Sequence, residues 1–195
     1  MLIAHGFLMS FPFVIFLPFF VIIVPIPSIR ISVIKVHAPL QLFTLAIVVA
    51  GLGLGIKLGV SGCLMKNAHP IIGLVVVGLL ILFQPALGLL QHLHFKRTGG
   101  KGIFAHIHRW LGRFFIILGI VNGGLGFGLS GVGQPGTPRG AMIAYSVIAG
   151  VLGSVYIGVL VLLAIRGKQD LHHERNASDA ILGDEVKIAT DPAIT

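Results

Sequence analysis

Five runs of roughly twenty consecutive apolar residues leave this chain little choice of fold. They cover about 2–24, 37–58, 69–91, 110–130 and 141–165. Each is long enough to cross a ~30 Å hydrocarbon core as a helix rising about 1.5 Å per residue. Of the 195 residues 55% are apolar and only 10% charged, where a soluble domain carries roughly a quarter charged. The reading is an all-α integral membrane protein with five transmembrane helices. The net charge of +8 does not point to nucleic acid, because the basic residues lie in short loops between the apolar runs rather than on a solvated stripe. Cys63 is the lone cysteine, so no internal disulfide forms. The opening Met1-Leu2-Ile3-Ala4-His5 lacks the basic region of a signal peptide.

Along the chain, Pro12 and Pro18 are expected to kink the first run. Glycines thin the second (Gly51, Gly53, Gly55) and the fourth (Gly119, Gly123, Gly124, Gly126, Gly128), which marks close approach by a neighbouring helix or a cofactor. Turns are expected near Pro25-Ile26-Pro27 and over 131–140. Residues 1–166 form the membrane domain. The tail 167–195 holds all six acidic residues and reads as disordered, polar and cytoplasmic. Three basic residues (Lys57, Lys66, Arg139) fall on the side of the N-terminus and, up to Arg175, ten on the other, among them Arg30, Lys35, Lys101, Arg109 and Arg113. The excess places that second side in the cytoplasm and the N-terminus outside.

Four histidines, His5, His37, His69 and His108, stand at the mouths of four successive runs, 32, 32 and 39 residues apart. Alternate helices of a serpentine bundle enter from opposite faces, so His5 and His69 share one membrane face and His37 and His108 the other. Pro39 and Pro70 agree, since proline is accepted in a first helical turn. Ionisable groups within a bilayer are costly and usually functional. Two imidazoles per face could be the axial ligands of one haem each, with irons on the order of 20 Å apart. Such ligation leaves iron no open position and suits electron transfer.

Other residues are candidates for supporting roles. Gly73 and Gly112 each lie four residues after a histidine, on its helix face, and with Gly6 would make room for a porphyrin. Lys35 and Arg113, then Arg109 and Lys101, could hold a propionate or an anionic donor, or simply set topology at the headgroup layer. Gln41, four after His37, could bond a haem edge or another helix. His106 competes with His108 as ligand. His92, His94 and His106 could bind a metal ion, although a solvated loop is the simpler reading. Asn122 and Gln84 read as helix–helix packing contacts, and Trp110 as an interfacial aromatic.

Ala4-His5-Gly6-Phe7-Leu8-Met9, His37 with Gln41, Asn67-Ala68-His69-Pro70-Ile71-Ile72-Gly73 and His108-Arg109-Trp110-Leu111-Gly112-Arg113 resemble the cytochrome b-561 family of transmembrane electron carriers. The resemblance runs from residue 2 to about 165. Within the family it is nearest the fungal-like members whose core follows an extracellular haem-binding DOMON domain. It implies a four-helix core with two b haems, ligated by His5 with His69 and by His37 with His108, plus one C-terminal span. Implied partners are a lipid bilayer, a small-molecule or protein electron donor and acceptor, and a DOMON-type haem domain or a second copy of the chain. The reaction implied is reduction of a small molecule, ferric chelate or partner haem. The family's usual first span is missing here, so the helix bearing His5 is expected to fray. Where ascorbate-using members carry Leu-Leu-Val-Tyr-Arg-Val-Phe-Arg, this chain has Val24-Pro25-Ile26-Pro27-Ser28-Ile29-Arg30. The rival reading is a multi-span metal or proton transporter or channel using the same histidines.

Overall fold

The computed structural model describes residues 1–23, 33–100 and 102–190. Every regular element among them is helical. Five helices are long and apolar enough to cross a membrane: α1 (Leu2–Ile23), α2 (Lys35–Ser61), α3 (Ala68–Thr98), α4 (Ile103–Ser130) and the stretch Arg139–Gln169 of α5, which runs Arg139–Thr190. Each apolar run of the sequence coincides with one of them. The expected turn at Pro25–Pro27, the 24–30 stretch and Lys101 lie outside the described residues.

α3 and α4 outrun their apolar segments. α3 carries Lys96 and Arg97 in its last turn, where positive charge complements the helix dipole. It stops at Gly99, whose φ of 69° is the left-handed ending glycine permits. α4 already begins at Ile103, so the basic stretch around His106 and Arg109 is helix, not the loop expected there. The Gly/Pro-rich connection survives as turns over 131–138.

The prolines of α1 produce a π-helical turn, Phe11–Phe16. Neither Pro12 nor Pro18 has an N–H to donate. A wider turn, closed by the Leu17 N–H on the Pro12 carbonyl, moves a ring clear of the carbonyl it would strike one α-turn back. α2 is entered through a second π-helical turn at Val33–His37, with Pro39 in the first α-turn that follows. α1 begins at Leu2, and the His5 N–H bonds the Met1 carbonyl at 2.9 Å.

Four helices share one core. Phe13 and Leu17 of α1, Val48 of α2, Val76, Val77 and Leu80 of α3, and Phe115 of α4 form a single buried cluster. None of the best membrane-length window of α5 is buried. Neighbouring helices run in opposite directions, since the start of α1 meets the far half of α2, and the start of α4 meets the far half of α3. The chain divides into two compact units, Met1–Val155 and Tyr156–Thr195. In the second, helix continues to Thr190, past position 167 where irregular chain was expected. No proline interrupts it before Pro192.

Candidate functional site

His5 lies in the first turns of α1 and points at α2. Its Nδ1 donates to the Gly51 carbonyl at 2.9 Å. A carbonyl inside a helix is normally roofed by the side chain one turn later, because each Cα–Cβ bond leans toward the N-terminus. One turn after Gly51 stands Gly55, and a Cβ built there would lie 2.6 Å from His5 Cε1 and 3.0 Å from its Nδ1. The missing side chain is therefore what lets the imidazole reach the carbonyl.

The same device recurs on the next helix pair. His69 Nδ1, on α3, donates to the Asn122 carbonyl of α4 at 2.9 Å. Four residues after Asn122 is Gly126, where a Cβ would meet His69 Cε1 at 2.8 Å. A carbonyl can only accept, so in both rings Nδ1 carries a proton, and in the neutral imidazole Nε2 is then the nitrogen with the lone pair. That is the tautomer of a metal-ligating histidine, whose other nitrogen usually donates to a carbonyl or carboxylate. The two rings meet edge to face, with centroids 6.0 Å apart and planes at 78°.

At the opposite end the arrangement is looser. His37 packs edge-on against Phe20 of α1, ring centroids 5.7 Å apart. His108 lies within electrostatic reach of both His37 and the Gln84 main chain. The Nδ1 atoms of His37 and His108 are buried and form no hydrogen bond of acceptable geometry. The glycine one turn after Gln84 is Gly88, and its Cβ would sit 3.6 Å from His108 Cε1, an ordinary contact. The notch exists there, but the ring does not close into it. α1 has no glycine after Gly6, so His37 meets no notch on that helix.

The other candidate residues have the following surroundings. Gly73 and Gly112 do not border open space: a Cβ on Gly73 would meet Asn122 Nδ2 at 3.1 Å, and one on Gly112 would meet Gln84 Oε1 at 3.3 Å. They seat amide side chains, because a neighbouring helix supplies an amide on the face each histidine shares with its glycine. Gly6 has nothing within 4 Å. Gln84 Nε2 donates to the His108 carbonyl at 3.4 Å, the helix–helix contact expected of it. Gln41 is half-buried and Lys35 exposed. The Arg113 guanidinium lies over the Trp110 ring, 5.0 Å from its centroid. Arg109 bonds the Ala105 carbonyl at 3.1 Å and reaches His106 Nδ1 at 3.3 Å. His106 is thus exposed and engaged locally, whereas His108 points into the bundle. Among the described residues no three His, Cys, Asp or Glu side chains gather to hold a metal ion, which removes the trio of His92, His94 and His106.

Sequence reasoning missed the two carbonyl acceptors and had Gly55 and Gly126 only as general thinning. Their signal was a glycine one turn beyond each acceptor, invisible until the facing helix is known.

No family model matches this chain, and no curated protein or solved structure is detectably similar to it. Fold and geometry together define a multi-pass, all-helical membrane protein whose four-helix core gathers histidines at both ends.

Proposed function

We propose that the protein is a membrane b-type cytochrome that moves electrons across the bilayer between two bis-histidine haems, one held by His5 and His69, the other by His37 and His108. The observation that carries this reading is the pair of Nδ1–H···O=C bonds on two neighbouring rings, which makes Nε2 the ligating nitrogen of each neutral imidazole. Their 6.0 Å spacing suits two imidazoles that share one metal ion, given metal–nitrogen bonds of about 2 Å. Haem iron takes only two protein ligands here, so a three-residue cluster is not required.

Bound haem supplies one-electron redox chemistry, and the protein supplies ligation, orientation and electrostatics. The two backbone acceptors fix ring orientation and raise the basicity of Nε2. At the other end Lys35, Arg109 and Arg113 place positive charge where a propionate or an anionic donor would be held, and Gln41 stands one turn from His37. The partners are a small molecule, ferric chelate or protein haem, such as a DOMON-type domain. The bias of basic residues puts the N-terminus outside and the tail in the cytoplasm.

A visible spectrum of detergent-purified, haem-reconstituted protein tests the reading. It should show two six-coordinate b haems per chain, and His106→Ala should change neither. Protein that takes up no haem sinks the proposal. Orientation has its own test: Cys63 is exposed in the α2–α3 connection, on the N-terminal face, so a membrane-impermeant maleimide should label it in intact cells.

A further inference from the structure

Between Ser10, Phe13, His69, Gly73, Asn122 and Tyr145 lies a cavity of about 30 Å³. Its wall is mostly apolar, with Met9, Phe13, Val76 and Val77 on it, but each of four helices adds one polar residue: Ser10, His69, Asn122 and Tyr145. Asn122 is only 6% exposed, and its Oδ1 has no hydrogen-bond partner. An amide oxygen buried without a donor is costly in a protein interior and more so in a bilayer. Tyr145, on α5, already commits its hydroxyl proton to the Ile120 carbonyl at 2.6 Å. Its oxygen is left as an acceptor at the same wall.

We infer that this cavity binds one ordered water, which donates one proton to Asn122 Oδ1 and the other to the Tyr145 hydroxyl oxygen. The volume exceeds the roughly 10–15 Å³ a water requires, and buried waters typically make two to four hydrogen bonds. Ser10 and the Asn122 Nδ2 amide on the same wall provide donors for the water's lone pairs. The water joins the fifth helix to the residue whose main-chain carbonyl holds His69 Nδ1. Asn122 is then a positioning residue twice over: its backbone orients His69, and its side chain takes the water that braces that backbone. The inference rests on the fold and stands apart from the haem reading.

The test uses the full chain in deuterated lipid with ¹⁵N in asparagine alone. The sequence has three asparagines, Asn67, Asn122 and Asn176, and Asn67→Ser and Asn176→Ser assign the Asn122 side-chain amide by elimination. Magnetisation should pass from water to that amide, and Tyr145→Phe should lose most of the transfer. Absence of transfer in the unsubstituted chain overturns the site. Full transfer in Tyr145→Phe overturns the bridge. Neither readout measures haem, so a failure here leaves the cytochrome proposal to its own spectrum. Should Tyr145→Phe not fold, the unsubstituted chain alone decides whether the water is there.

Discussion

The two ends of the four-helix core hold their histidines by different means. Near the chain start, His5 and His69 each sit in a notch left by a glycine and donate to the carbonyl one turn before it. At the far end His108 has such a notch, at Gly88, but stands back from it, and His37 packs edge-on against the Phe20 ring. A helix offers a backbone carbonyl to a neighbour's imidazole only where the next turn lacks a Cβ. One end therefore has its tautomer written into the backbone, while the other leaves ring orientation to packing and to whatever the ring binds.

Four changes probe this contrast, in falling order of effect. On the proposed function the largest is loss of a ligand: His69→Ala would then abolish haem binding at the chain-start end and His108→Ala at the far end, each removing about one of two by pyridine haemochrome assay. If neither loses haem, the pairing is wrong. Next come the notches. Gly55→Ala and Gly126→Ala should displace the imidazoles and cost about 1–3 kcal/mol, as for a buried hydrogen bond broken in an already full space. Gly88→Ala, meeting His108 only at 3.6 Å, should stay within ~0.5 kcal/mol. Thermal melts of the three in parallel settle the matter, and equal damage from Gly88→Ala would erase the distinction between the ends.

Smaller again is Gln84→Leu. The Gln84–His108 bond is long at 3.4 Å, so its loss should cost about 0.6 kcal/mol, the average for interhelical hydrogen bonds in membranes. A melt shifted as far as that of Gly126→Ala would show the far end to be braced more firmly than its geometry indicates. Arg113→Ala comes last. Trp110 is 67% exposed, and an exposed cation–π pair contributes about 0.5 kcal/mol. Its melt should barely move, and a large shift would give Arg113 a role in the core.

Length and hydropathy suffice to make the five spans legible in the sequence, because a bilayer demands about twenty apolar residues whatever their order. Pro39 and Pro70 likewise mark two helix starts. The ends of α3 and α4 are less legible, since Lys96, Arg97 and the His106–Arg109 stretch look like loop in a hydropathy profile yet suit helix termini. The pairing of His5 with His69 follows from topology alone. Their carbonyl partners do not, because a glycine at 55 or 126 acquires meaning only once an imidazole from another helix lies over it. Pro12 and Pro18 announce an irregularity in α1, but not that it takes the form of a π-helical turn.

The carbonyls of Gly51 and Asn122 lie within continuous helices, where each already receives the N–H of the residue four further on. Lending a second lone pair to a histidine costs the ladder nothing, and losing the histidine leaves no acceptor stranded. The polypeptide can thus insert and close its bundle with both of these imidazoles already parked on its own backbone.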